Sequence, residues 1–185
     1  MSAPAHKFAT YEDLFDLPEH IVGEIIHGQL ITHPRPAPKH AIASSALGDE
    51  LISPYQKGRG GPGGWWILFE PELHLSPHIL VPDLAGWRRE RLPRIPEIAY
   101  FTLAPDWVCE VLSPSTARVD RGDKMLIYAS QGVSFLWLLD PVLRTLEIFV
   151  LCNGRWSLEQ VYQQDQTVQA VPFDAISFSL ADLWA

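Results

Sequence analysis

Asp106-Trp107-Val108-Cys109-Glu110-Val111-Leu112-Ser113-Pro114 is a nearly all-apolar run with one carboxylate in its middle. Pro105 and Pro114 bracket it, and Trp107, Val108 and Val111 favour extended backbone. A continuous apolar run this short suits a strand covered on both faces. Glu110 is out of place there, because a buried ionised carboxylate is costly unless a cation or hydrogen bonds compensate it. The two-residue period of a strand puts Val108 and Leu112 on the face of Glu110, and Cys109 and Val111 on the other. The fold must therefore bring a partner to Glu110.

Two flanking segments carry candidates. Upstream, Val81-Pro82-Asp83 places a second acid at the start of another apolar run; downstream, Asp120-Arg121-Gly122-Asp123-Lys124 opens a helix and carries a lysine. Two carboxylates from adjacent strands can hold Mg²⁺ (or Mn²⁺), a hard cation that prefers oxygen. Such an ion lowers the pKa of a water and neutralises transition-state charge. An ammonium nearby can position that water or stabilise the same charge. Asp83, Glu110 and Lys124 thus form the constellation of a metal-dependent phosphodiesterase. Taken singly, Asp83 could be a turn residue and Lys124 a solvated helix lysine. A lysine close to a helix N-terminus opposes the dipole, so a compensating group is expected beside it.

The remaining elements follow from pattern. Thr10 to Leu14 is a short helix with Thr10 as N-cap and Asp13 at N3, ended by Pro18. Ile21 to His27 and Gln29 to His33 form a hairpin turning near His27-Gly28. His40 to Tyr55 has helical periodicity, and Lys57 to Gly64 is a glycine-rich flexible loop that lacks the closing Lys-Ser/Thr of a phosphate loop. Trp65 to Phe69, Glu72 to Leu75 and Asp83 to Trp87 are strands, and Arg88 to Pro105 is mostly loop. Asp120 caps a helix that Gly132 ends after Gln131, and Ser134 to Leu139 is a second fully apolar strand. Thr145 to Cys152 and Arg155 to Tyr162 make a hairpin on a type I′ Asn153-Gly154 turn, and Phe178 to Trp184 closes the chain with a short strand and an apolar finish. The strand–helix–strand unit over 107–139 requires parallel strands. The expected class is α/β (α+β): a mixed central β-sheet flanked by helices, one on each face, with hairpins added at both ends. At 185 residues the chain is read as a single domain, 1–185.

Composition bounds the function. Apolar residues make up 47% of the chain, with seven tryptophans, which fits a packed globule rather than a disordered chain. No uncharged apolar stretch reaches the length of a membrane span, so no membrane partner is expected. Met1 to Lys7 has no signal-peptide core. Cys109 and Cys152 both lie in apolar strand-like runs and are read as buried hydrophobes of a reducing, cytoplasmic protein. Acids outnumber bases 22 to 14, a formal charge of −8, which argues against tight non-specific binding through many phosphate contacts. Bases do cluster at Arg88, Arg89, Arg91 and Arg94, and at Arg118, Arg121 and Lys124; solvated loop charge and a phosphate-facing rim are equally open readings.

The ordered segments Gly23-Glu24-Ile25-Ile26-His27-Gly28-Gln29-Leu30, His40 opening a helix, Val81-Pro82-Asp83, Glu110-Val111-Leu112-Ser113-Pro114-Ser115-Thr116, Asp120 to Lys124 with Tyr128, Gly132-Val133, and Trp137-Leu138-Leu139-Asp140-Pro141 carry a resemblance. Together they resemble the Uma-type family of bacterial proteins described as restriction endonucleases, within the PD-(D/E)XK nuclease superfamily. The resemblance implies a restriction-endonuclease-like core, hydrolysis of nucleic acid (DNA in the first instance) and a divalent metal. It also implies Asp83 and Glu110 as metal ligands, with Glu24 as an accessory one. One departure matters. The position two residues after Glu110 is Leu112 rather than lysine, which makes Lys124 the candidate for the lysine's role. One such site cuts one strand, so a homodimer is expected for duplex cleavage. Two rival classes remain open. One is a nuclease-like interaction module without activity. The other is a cupin-like protein holding a metal through His27, His33, His40, His74 and His78; no His-Glu-x-x-His or His-x-His spacing supports it.

Overall fold

Trp107–Val111 is buried at all five positions, as a strand with neighbours on both edges and covered faces must be. The computed structural model describes residues 8–184; the reading of Met1 to Lys7 lies outside the described residues. In chain order the elements are α1 (Glu12–Phe15), β1 (Ile21–Ile26), β2 (Gln29–Pro34), α2 (Pro38–Leu51) with a π-helical turn after it (Ile52–Gln56), β3 (Trp65–Phe69), β4 (Leu73–Leu75), β5 (His78–Leu80), β6 (Leu84–Arg88), β7 (Trp107–Val111), α3 (117–130), β8 (Phe135–Asp140), β9 (Thr145–Cys152), β10 (Arg155–Gln163), β11 (Thr167–Val168) and β12 (Phe178–Ser179), with a closing 3₁₀ turn (Leu180–Leu183).

The central sheet has six strands in the order β10-β9-β8-β7-β6-β3. Only β7 and β8 run parallel, with Glu110 opposite Leu138; the crossover through α3 imposes this direction. The Asn153-Gly154 turn has positive φ at both residues, as a type I′ turn requires. One face of the sheet packs Trp107, Cys109, Val111, Trp137 and Leu139 against Ala43, Leu47 and Leu51 of α2. The other packs Val108, Leu112, Leu136 and Leu138 against Ile127 and Tyr128 of α3. The mixed sheet with a helix on each face is therefore present.

The first helix starts at Glu12 with Tyr11, not Thr10, at its N-cap, and three larger features also differ from expectation. The first hairpin does not extend the central sheet. It belongs to a separate four-stranded sheet, β2-β1-β5-β4, whose Ile26, Leu73, Leu75 and Leu80 pack into the same core as α3. Strand β5 joins β4 to β1 within this sheet, pairing Ile79 with Ile25, and three residues are too few for a periodic signal. Next, α3 begins at Ala117, not at Asp120. The carbonyl of Ser113 accepts from Ala117, and that of Thr116 accepts from Val119 and Asp120, so Asp120 is already inside the helix. Finally, Cys152 is exposed at the end of β9, while Cys109 is buried; both are free thiols.

Candidate active site

β1 faces the core on the α3 side of the central sheet through Ile26, and the two-residue period of a strand puts Glu24 on that same face. β7 brings Glu110 to it from the central sheet, and α3 runs between them. Asp120 and Lys124 are one turn apart on α3 and share a face. The result is a buried cluster: Lys124 Nζ lies 2.9 Å from Glu110 Oε1, 3.0 Å from Glu24 Oε1 and 3.5 Å from Asp120 Oδ1. Glu24, Glu110 and Lys124 are each 2% exposed and Asp120 4%. Tyr128, a further turn along α3, donates its hydroxyl to Glu110 Oε1 at 2.6 Å. Glu24 Oε1 also accepts the Val81 N–H at 2.7 Å, and His33 Nε2 stands 3.8 Å from Oε2. The compensation expected for Lys124 is thus three carboxylates.

Asp83 sits just before β6 and is tied to the end of β7. Its Oδ2 accepts the Val111 N–H at 2.7 Å, and His40 Nε2, from the first turn of α2, lies 3.2 Å from Oδ1. Asp83, Glu110, Asp120, Lys124, His40 and His33 line one cavity of about 270 Å³, whose wall also includes the Ser113-to-Thr116 turn. Glu24 is not in that lining. Its oxygens face Lys124, Val81 and His33 from behind.

The cluster has more negative than positive charge. Burial drives the Glu110 carboxyl well above the ordinary range, and neighbouring Asp120, Asp83 and Glu24 add to this against the pull of Lys124. Asp120 is raised for the same first reason, burial. Burial opposes the Lys124 ammonium too, but Glu110 and Glu24 outweigh it and hold its pKa well above normal. Glu24 goes the other way: burial raises it, yet Lys124, His33 and the Val81 N–H bring it down to about 2. At His40, burial favours the neutral ring but Asp83 prevails and raises its pKa.

These observations bear on a metal. The cavity's carboxylates are hard oxygen donors with a surplus of negative charge, which fits a dication such as Mg²⁺. Among the described residues no three His, Cys, Asp or Glu side chains are grouped to cage an ion by themselves. Mg²⁺ does not require such a cage, because it commonly keeps several waters and takes one or two carboxylates. The histidines are dispersed: His74 on Glu72, His40 on Asp83, His33 beside Glu24, and His27 edge-on to His78. Neither that dispersal nor the sheet topology fits a cupin-like histidine site.

Asp120 is a site residue that the sequence reading misses, and His33, named there only as a ligand of a cupin-like site, stands beside Glu24 instead. The signal for Asp120 was its four-residue spacing from Lys124 within one helix, which the reading of Asp120 as a cap obscured. Three bases at and after the end of β6 are built into the scaffold. The Arg88 guanidinium lies 4.8 Å over the Trp65 ring and that of Arg89 4.0 Å over Trp66, while Arg91 pairs with Asp106 at 2.8 Å. Arg121 pairs with Glu147.

A family model described as "Uma2: Putative restriction endonuclease" matches residues 8–181. A solved structure from Anabaena variabilis, described as a "putative nuclease belonging to DUF820", is similar with a TM-score of 0.73 and 27% identity over 93% of this chain and 95% of that one. No curated protein matches.

Proposed function

This chain belongs to the Uma2 family, and from that premise we propose that it is a metal-dependent endonuclease, a single domain over 1–185, that hydrolyses phosphodiester bonds of DNA. The observation that carries this reading is the convergence of Asp83, Glu110 and Lys124 on one cavity, from the entry to β6, from β7 and from α3. The nuclease description of the Anabaena structure supports it.

Asp83 and Glu110 would hold Mg²⁺ or Mn²⁺ through their oxygens, and the ion would supply Lewis-acid charge and an acidified water. The chain's own groups do the rest. Lys124 presents an ammonium to the charge that develops on the phosphoryl oxygens, and its raised pKa keeps it charged at neutral pH. Glu24 and Asp120 hold Lys124 at its place, so Glu24 is assigned to positioning rather than to direct ligation. Tyr128 fixes one oxygen of Glu110 and leaves the other for the cation. His40 orients Asp83. The reading includes a cytoplasmic location and a two-fold dimer, since one site cuts one strand. Exposed Leu126, Val142, Leu143 and Leu158 offer apolar surface for such contact.

Plasmid cleavage in Mg²⁺ or Mn²⁺, with a chelator control, tests the reading. Wild-type protein should nick or linearise the plasmid only with metal, and Asp83→Ala or Glu110→Ala should abolish this with the fold intact. Cleavage by either variant at the wild-type rate would remove that residue from the site. No cleavage at all by the wild type would favour the interaction-module alternative.

A further inference from the structure

The wall that carries Asp83 continues beyond the catalytic cavity. A second cavity of about 160 Å³ shares Pro36, His40, Glu70 and Asp83 with the first, and is bounded on its far side by Ser44, Ser45 and Phe69. Phe69 ends β3 and is paired with Leu84, the chain neighbour of Asp83. Its ring lies against α2 at Gly48: a Cβ at Gly48 would stand 2.0 Å from the ring's Cζ and 2.8 Å from Cε1. The glycine lets the ring rest on the helix backbone. Even so, Phe69 remains 45% exposed. A large apolar ring is thus held in place in the cavity adjoining the site, with part of its surface open to that cavity.

We propose that Phe69 is a stacking platform for the nucleobase next to the scissile phosphate, and that the substrate strand is engaged with this base unpaired. The proposal rests on the nuclease reading above and specifies its substrate. Every base has a flat π-face, and an exposed aromatic ring binds it without regard to sequence. Inside a duplex both faces of a base are covered by its neighbours, so stacking on Phe69 requires the base to leave the helix. Ser44 and Ser45 border the same space with hydroxyls that both donate and accept, which suits the polar edge of any base.

The charge distribution favours the same substrate. In the catalytic cavity Glu70, Asp83, Glu110 and Asp120 face Lys124 and Arg35, and Arg88, Arg89 and Arg91 are held on Trp65, Trp66 and Asp106. A tight duplex site draws on many phosphate contacts. A single strand brings fewer phosphates and exposes the bases that stack.

The test uses full-length wild-type, Phe69→Ala and Phe69→Trp proteins with labelled DNA oligonucleotides. The cleavage position is mapped first, and binding is read by fluorescence anisotropy alongside single-turnover cleavage in Mg²⁺. Phe69→Ala should weaken single-strand binding roughly tenfold, the scale of one lost base–aromatic stack, and Phe69→Trp should keep it. An abasic site in place of the flanking base should cost the wild type as much, and should cost Phe69→Ala nothing further. A mismatch beside the cut should speed cleavage relative to a perfect duplex. The abasic arm keeps the question answerable even where Phe69→Ala folds poorly. If cleavage occurs but the abasic site is harmless to the wild type, the two losses add, or the perfect duplex is cut fastest, this proposal is overturned and the nuclease reading stands. If the wild type cuts no nucleic acid with Mg²⁺ or Mn²⁺, both fall.

Discussion

Replacing Lys124 by methionine keeps most of the stem's packing and removes the ammonium that faces Glu24, Glu110 and Asp120. The magnitude follows from Glu24, whose pKa is lowered from 4.5 to about 2 in the folded chain. At 1.36 kcal/mol for each tenfold change, that shift corresponds to about 3 kcal/mol of stability. Because the folded value lies below the unfolded one, this contribution is fully present above pH 4.5 and is lost as pH falls through about 2. Without Lys124, only His33 and the Val81 N–H oppose burial at Glu24, and Glu110, already raised by burial, rises further. Both folded values move upward, so the stability lost with Lys124 is greatest where the carboxylates are ionised and shrinks as pH falls. Lys124→Met should therefore cost about 3–5 kcal/mol near neutral pH, the range for leaving a buried charge without its partner, and the deficit should shrink toward pH 5. Urea unfolding followed by tryptophan fluorescence reads this directly, since Trp87, Trp107 and Trp137 are fully buried. Adding Glu24→Gln should recover part of the loss. A deficit below about 1 kcal/mol at neutral pH, or one that grows as pH falls, would refute this account of Lys124.

Lys124→Ala should lower turnover by roughly 10²-fold, as for loss of one transition-state charge stabiliser, with metal affinity measured by calorimetry little changed. Adding Leu112→Lys should restore part of the rate only where the protein stays folded, because Leu112 is 2% exposed and an ammonium there could cost several kcal/mol; a well-folded double variant with no recovery would show that the two positions are not interchangeable. Sedimentation at micromolar concentration should show a dimer, and a monomer throughout that range would remove the two-fold arrangement.

The elements that carry the candidate site were legible because their signals are local. A short apolar run bracketed by prolines specifies the Glu110 strand, Asn153-Gly154 specifies a hairpin turn, and strand–helix–strand spacing specifies parallel β7 and β8. The limits are equally physical. Asp120 has the chemistry of a cap, and the true start of α3 depends on the carbonyls of Ser113 and Thr116. Strand β5 is three residues long and exists because β1 and β4 pair with it.

From the residues alone came the α+β class, the anomaly of a carboxylate in a buried strand, and Asp83, Glu110 and Lys124 as a set. Which group meets which was decided by tertiary structure. The second sheet packs on the α3 side of the core, and this brings Glu24 to Lys124 across a hundred residues of chain and leaves Asp83 with His40. No local pattern encodes that meeting, because the electrostatic energy of a buried charge depends on distance and exclusion of water, and both are set only when the two sheets and α3 close on one another.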